Sequence, residues 1–147
     1  MTDLIRDTAG KLRATVERAR DAGADIPWVS RFPQDCCNFG SNLLLFELSD
    51  AGVKRLRRVM GTVPDEGPDS DTRHVWVQAD DYTVDICADQ FGQPEVIVEQ
   101  QSNWHDAMLD VKPFLAQRDL PEGISDTEIA RLREIYKDVL AELARFR

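Results

Sequence analysis

The sequence predicts an α+β fold, in which one buried helix packs on an antiparallel sheet between helices at the two ends of the chain. Three observations support this prediction. Residues 43–48 are almost entirely leucine and phenylalanine, a pattern typical of a central core helix. Several strand-like segments lie between residues 54 and 100. Residues 2–22 and 125–143 have the spacing of amphipathic helices. At 147 residues we expect a single domain spanning 1–147.

The first segment, residues 2–22, has its apolar residues near one helical face. They are Leu4, Ile5, Leu12, Val16 and Ala19. Gly23 and Pro27 predict the end of this helix. Residues 26–33 contain two prolines and are expected to be extended. A second helix then begins near Cys37, with Asp35 as the predicted N-cap, and ends at Gly52.

Four strands are predicted at residues 54–63, 73–79, 82–88 and 95–100. Asp80 and Asp81 read as a two-residue hairpin turn, so Ala79 is expected to pair with Tyr82. That register makes His74 and Asp85 diagonal neighbours on one face of the sheet. A slip of one residue would place them on opposite faces. Residues 102–111 are compatible with either a short helix or an edge strand.

A final helix is predicted after Ser125 or Asp126, either of which is a suitable N-cap. Its apolar residues recur with the helical period. They are Ile129, Leu132, Ile135, Tyr136, Val139, Leu140 and Leu143. This stripe either packs on its own domain or provides the contact of a homodimer.

The net charge of −9 argues against a nucleic acid partner, which would require a basic face. The basic cluster at residues 54–58 is interpreted as a solvated strand and turn, with binding of an acidic partner as the alternative. Three cysteines without a spaced framework indicate a reducing compartment. No signal peptide or membrane span is predicted, so we expect a cytoplasmic protein without membrane contact.

Three residues suggest a chemical site. Cys37 lies at a predicted helix N-terminus, where free N–H groups and the helix dipole favour a thiolate. His74 is a candidate base, and Asp85 is a candidate group for orienting its imidazole. His105, the other histidine, is the competing candidate base, but it is predicted to lie in a surface turn.

The same residues resemble the bacterial transglutaminase-like proteins of the papain-like superfamily. Cys37, the small Ser41 and Gly52 match the spacing of that family's cysteine helix. Gly61 falls where the family has a glycine in the next strand. The strand from His74 to Val77 is similar to the family's His-Ala-Trp-Val, with Val75 in place of alanine, and Asp85 matches its terminal aspartate. The resemblance covers about residues 32–98.

The resemblance implies a papain-like Cys-His-Asp fold, used by proteases, transglutaminases, deamidases and acyltransferases. We therefore expect Cys37, His74 and Asp85 to act on an amide of a protein or peptide through a thioester. Gln34, Trp76 and Gln90 are candidates for oxyanion binding or for lining the substrate cleft. Neither a cofactor nor a metal is expected, because the Cys and His residues lack zinc-site spacing. The alternative function is a non-catalytic binding or immunity protein with this fold.

Overall fold

A computed structural model describes residues 1–64, 72–113 and 123–147 of the chain. Five α-helices lie in these ranges: α1 (Thr2–Asp21), α2 (Cys37–Asp50), α3 (Asn103–Asp106), α4 (Asp126–Ile135) and α5 (Lys137–Leu143). Five strands lie in the same ranges: β1 (Leu56–Thr62), β2 (Arg73–Ala79), β3 (Tyr82–Asp85), β4 (Ile97–Glu99) and β5 (Leu109–Pro113). Across the described residues, no helix combines the length and apolarity needed to cross a membrane.

The strands form one sheet in the order β4-β3-β2-β1-β5, and each neighbouring pair is antiparallel. The α+β class is therefore confirmed, and each of the four predicted strands is present. The ambiguous segment 102–111 contains both alternatives, because the short helix α3 is followed by the edge strand β5. Most of the predicted loop at 64–72, and most of the linker before Gly123, fall outside the described residues.

The β2–β3 hairpin has the predicted register. Ala79 pairs with Tyr82 and Val77 pairs with Val84 across a turn at Asp80 and Asp81. Asp80 has a φ of 55°, a left-handed conformation that aspartate tolerates better than most residues. Alternation along the strands then places the side chains at positions 74 and 85 on one face of the sheet.

Helix α2 is the core helix that its composition predicts. Its side chains from Leu43 to Phe46, and Leu48, are all buried, and the helix packs against α1, β1 and β2. Gly40 allows close contact with the segment after β3, since a Cβ atom at this position would lie 2.6 Å from the Cys87 sulfur. Gly52 follows the helix with a φ of 87° and ends it as predicted.

The terminal helices cover the same core. Helix α1 buries Ile5, Ala9, Leu12, Val16 and Ala19. Leu4 was predicted to share that face, but it is exposed, because it lies about 100° around the helix from the buried Ile5. The predicted extended segment at 26–33 is wrong in detail, because a 3-10 turn forms at Val29–Arg31.

The C-terminal helix starts as predicted, with the Ser125 hydroxyl accepting a hydrogen bond from the Glu128 N–H at 3.1 Å. It is not continuous, since it breaks at Tyr136 into α4 and α5. Ile135, the last residue of α4, does not share the buried face with Ile129 and has 65% of its surface exposed, because it lies about 120° from Ile129 around the helix. Most of the other stripe residues pack on the domain's own core. This packing does not test the homodimer contact, which stays a prediction.

The interpretation of the basic cluster at 54–58 as fully solvated is wrong for Arg58, which is 2% exposed. Arg58 lies on the face of β1 that carries Leu56, because side chains two apart on a strand share a face. Its Nη1 donates a hydrogen bond to Asn42 Oδ1 at 2.5 Å. Asn42 Nδ2 in turn donates to the Tyr136 hydroxyl at 2.7 Å, so one polar network joins β1, α2 and the α4–α5 junction.

Candidate active site

The proposed nucleophile is the first residue of α2. Cys36, rather than Asp35, occupies the N-cap position, and no side chain caps the helix. Asp35 is unsuited to this role because its backbone is left-handed, with a φ of 55°, whereas N-cap residues are typically extended. The first N–H groups of α2 therefore have neither an intrahelical acceptor nor a side-chain cap.

The three cysteines are free thiols in very different surroundings. Cys36 is buried, and its sulfur donates to the carbonyls of Gln34 at 3.0 Å and Trp28 at 3.2 Å. Burial raises the pKa of Cys36, and burial together with the negative charge of Asp85 raises the pKa of Cys87 well above its ordinary value. Cys37 is only half-buried. It is therefore the thiol that a substrate can reach.

His74 and Asp85 meet on the face of the sheet that the hairpin register predicts. His74 Nε2 donates to Asp85 Oδ2 at 2.5 Å, and the second carboxylate oxygen accepts the Cys87 N–H at 2.8 Å. His74 is 0% exposed and Asp85 is 2% exposed. The carboxylate is thus held from two directions in a site without solvent contact.

The two groups stabilise each other's charged forms. Burial alone would lower the pKa of His74, but the Asp85 carboxylate outweighs it, with a smaller contribution from Cys37, and raises this pKa to about 9. Burial alone would raise the pKa of Asp85, but His74, together with His105, holds it well below its usual range. At neutral pH the pair is an imidazolium and a carboxylate.

The other ring nitrogen of His74 is available for chemistry. Nδ1 is buried and has no hydrogen-bond partner of ordinary geometry within the described ranges. The Cys37 thiol is nevertheless close enough to help raise the pKa of the imidazole. With Nε2 fixed by Asp85, the ring presents Nδ1 for proton exchange beside Cys37. A base needs this division between an anchored and a working nitrogen.

His105 was predicted to lie in a surface turn, but it is only 2% exposed. Its Nε2 donates to the same Asp85 Oδ2 at 2.7 Å, and its Nδ1 lies 2.6 Å from the Ser102 hydroxyl. The available signal was that His105 is one of only two histidines, but its burial depends on α3 folding over the sheet, which no local pattern specifies.

Aromatic rings enclose the two imidazoles. Phe91 and Trp104 lie 5.3 and 5.4 Å from the ring centre of His74, and Trp76 lies 4.8 Å from that of His105. Trp76, a candidate for lining the cleft, is only 3% exposed and packs beneath the histidines. These rings exclude water and strengthen the hydrogen bonds to Asp85.

The two candidate glutamines have different surroundings. Gln90 bridges the segment after β3 and the loop before Cys37: its Nε2 donates to the Cys87 carbonyl at 2.9 Å, and its Oε1 accepts the Asp35 N–H at 3.3 Å. Gln34 is exposed, and its backbone carbonyl accepts the Cys36 thiol. Gln90 thus links the two segments that carry the thiol and the carboxylate.

His74, Asp85 and His105 are also the residues that chemistry would select for a metal ion, since their ligand atoms lie within 4.8 Å of one another. In this structure Asp85 Oδ2 lies at hydrogen-bond distance from both Nε2 atoms, 2.5 Å from that of His74 and 2.7 Å from that of His105. A metal ion would have to displace the two protons that lie between the Nε2 atoms and Asp85 Oδ2. It would also have to move these three atoms further apart, because each ligand atom lies about 2.0–2.2 Å from a zinc ion. The observed geometry is that of a hydrogen-bonded cluster.

A cavity of about 440 Å³ adjoins this cluster from another side and is lined in part by Trp76, His105, Gln78 and Thr83. Cys37 is not among its lining residues. The cavity therefore reaches the second histidine and the tryptophan but does not lead to the thiol.

Searches of protein-family models, curated proteins and solved structures found no match to this chain.

Proposed function

We propose that the protein is a cysteine-dependent hydrolase or acyl transferase that acts on an amide through a thioester. Cys37 is the nucleophile, His74 is the acid and base, and Asp85 orients His74. The observation that carries this proposal is the state of His74: one nitrogen is fixed by Asp85, and the other is buried, unpartnered and beside the half-buried Cys37.

The reaction requires a thiolate and an imidazolium. The Cys37 sulfur attacks the carbonyl carbon of the amide, and the carbonyl π electrons move to its oxygen. As the C–N bond breaks, His74 Nδ1 gives its proton to the departing amine, which leaves a thioester on Cys37. Water or a second amine then attacks the thioester. His74 accepts the proton of that nucleophile, and the thiolate leaves.

The start of α2 supplies donors for the oxyanion. Its first N–H groups lack intrahelical acceptors, and no side chain caps them. Since the Cys37 N–H belongs to this set, it is positioned near any carbonyl that the Cys37 sulfur attacks. Gln34 is retained as a candidate second donor, because it precedes the helix and its side chain is exposed.

The transglutaminase-like resemblance supports the same assignment. Cysteine on a core helix, histidine on a strand and aspartate on the next strand of an antiparallel sheet follow one another in the order of that family. We therefore propose a papain-like core, with a protein or peptide as substrate and the cytoplasm as location. No cofactor enters the proposed steps.

The competing function is a non-catalytic binding protein, and one observation favours it. His74 Nδ1 and the Cys37 thiol do not form a hydrogen bond of ordinary geometry. If His74 does not activate Cys37, then Cys37 is a half-buried structural thiol. The acidic surface, with a net charge of −9, would then bind a partner.

The test compares wild type with Cys37→Ala on peptide, glutamine and ester substrates, with Cys36→Ala as the matched control. An enzyme of the proposed kind releases amine or alcohol and forms a thioester that mass spectrometry detects on the peptide containing Cys37. Cys37→Ala should lose both signals, while a folded Cys36→Ala should keep them. Turnover that persists in Cys37→Ala would refute the assignment.

A further inference from the structure

His105 is joined to the candidate site by a continuous hydrogen-bonded chain. The chain runs from the Ser102 hydroxyl to His105 Nδ1, from His105 Nε2 to Asp85 Oδ2, and from the same oxygen to His74 Nε2. Its three links are 2.6, 2.7 and 2.5 Å long. All four residues are at most 2% exposed, so water cannot substitute for a missing member.

We propose that His105 is a positioning residue for the thiol site: together with Ser102 it fixes the Asp85 carboxylate and, through it, the ring of His74. The inference rests on the proposed function and extends it beyond Cys37, His74 and Asp85. His105 itself touches neither the thiol nor the space around it in the described contacts, so it acts only through Asp85.

The geometry explains why a second donor is needed. Asp85 Oδ1 is held by the Cys87 N–H, but this single bond leaves the carboxylate free to rotate about it. His105 approaches Oδ2 from α3, while His74 approaches it from β2. Oδ1 accepts one hydrogen bond and Oδ2 accepts two. The carboxylate plane therefore has one orientation that satisfies all three hydrogen bonds.

Ser102 sets which nitrogen of His105 donates. Because the Ser102 hydroxyl can give its proton to Nδ1, a neutral His105 carries its own proton on Nε2, facing Asp85. Trp76 and Trp104 pack on the ring at 4.8 and 4.9 Å and limit its rotation. Packing thus fixes the orientation of the His105 ring, and Ser102 fixes its tautomer.

The Asp85 oxygen that both histidines share also affects how strongly His74 holds its proton. A donor from His105 disperses charge on the carboxylate and so weakens its attraction for the His74 proton. The other titratable groups acting on the pair are Cys37 at the start of α2 and Cys87 after β3. Arg13 of α1 and Cys36 act on Cys87 from the far side. None of them replaces the donor that His105 supplies to Oδ2.

The experiment follows the His74 ring by NMR in protein labelled at its two histidines, in the full chain. His105→Leu removes the donor, and His105→Gln retains an N–H that can reach Asp85. We expect the ring pKa of His74 to rise by about one unit in His105→Leu and to stay near the wild-type value in His105→Gln. The rate of Cys37 alkylation should fall several-fold in the first variant and recover in the second.

A His74 pKa unchanged in folded His105→Leu, or shifted equally in both variants, would show that His105 only fills space. If His105→Leu does not fold, Ser102→Ala serves instead, and a smaller shift in the same direction is expected. Stoichiometric metal in the purified protein would also overturn the proposal, because a metal would occupy the Nε2 atoms. The NMR readout needs no substrate. A shifted His74 beside an unreactive Cys37 would therefore refute the proposed function and leave only the positioning of Asp85 and His74 by His105 standing.

Discussion

Two buried polar networks meet α2, and they differ in what they contain and where they end. In the middle of the helix, Asn42 joins Arg58 and Tyr136 and so ties together β1, α2 and the C-terminal helices. At the start of the helix, the second network runs through Asp85 and His74 to the half-buried Cys37. The first connects structural elements, while the second leads from the interior to a thiol with solvent access.

The contrast shows how burial alone fails to identify a reactive site. Arg58, His74 and Asp85 are all at most 2% exposed, and each contributes a charged or chargeable group to the interior. What separates them is an unpartnered ring nitrogen beside a half-buried thiol, which His74 has. The Asn42–Arg58 network holds no such group. Substitutions in the Asn42–Arg58 network should therefore change stability without changing reactivity, whereas substitutions of Asp85 or His74 should change reactivity.

The largest effect is expected for Asp85→Asn. Asparagine has one acceptor oxygen, whereas Asp85 accepts from His74, His105 and the Cys87 N–H. His74 loses its fixed tautomer, and the rate of Cys37 alkylation or of substrate turnover should fall at least about 100-fold. Stopped-flow labelling at pH 7 measures this. Unchanged reactivity in a folded Asp85→Asn protein would remove Asp85 from the site.

The His74–Asp85 pair also predicts a pH dependence of stability. The pKa of His74 is raised to about 9 in the folded protein, above its unfolded value of about 6.5. The contribution of protonated His74 to the free energy of unfolding is therefore fully present below about pH 6.5 and is lost as the pH rises through about 9. The loss amounts to up to about 3 kcal/mol.

Urea unfolding of wild type and His74→Gln at pH 6 and pH 9.5 checks the prediction. The raised pKa values of Cys36 and Cys87 act in the same direction at alkaline pH, but they are common to both proteins. Wild type should lose more stability than His74→Gln over this interval. Parallel curves for the two proteins would contradict the predicted role of His74.

In the other network, Asn42→Ala removes one acceptor of the Arg58 guanidinium and the donor to Tyr136. The expected cost is about 2–3 kcal/mol of unfolding free energy, because a hydrogen bond to a buried charged group is lost. The rate of Cys37 labelling should remain that of wild type. Asn38→Ala is the matched control, since Asn38 lies on the same helix but is exposed. A loss of labelling in Asn42→Ala would mean that the two networks are coupled.

The smallest effect is expected for Tyr136→Phe, which deletes one hydroxyl from the same network. Chemical denaturation should show a loss of about 1 kcal/mol. In the Asn42→Ala background the loss should be smaller, because the hydroxyl no longer has its donor. Equal losses in the two backgrounds would show that the bond between Asn42 and Tyr136 contributes nothing.

The sequence predicts most of the framework, because local chemistry sets it. The two aspartates at 80 and 81 fix the hairpin register and with it the meeting of His74 with Asp85. The Ser125 cap and the glycine after α2 are similarly local. The hydrophobic segment 43–48 reveals the core helix through composition alone.

What the sequence did not predict depends on contacts between distant segments. Alternation along β1 places Arg58 on the inner face of the strand. The sequence does not indicate that Asn42 of α2 lies beside it and accepts its hydrogen bond. The break at Tyr136 follows no proline or glycine. His105 is buried because α3 folds onto the aromatic face of the sheet. Such long-range packing has no signature in a window of a few residues.

The central claim is that Cys37 is the reactive thiol, and it can be tested by competition among the three cysteines. One equivalent of an alkylating reagent near neutral pH, followed by peptide mapping, should place the first label on Cys37. Cys36 and Cys87 should react slowly, because both are buried and their pKa values are raised. The fast phase should disappear in Cys37→Ala and persist in Cys36→Ala. First labelling of Cys36, or slow and equal labelling of all three thiols, would contradict the claim.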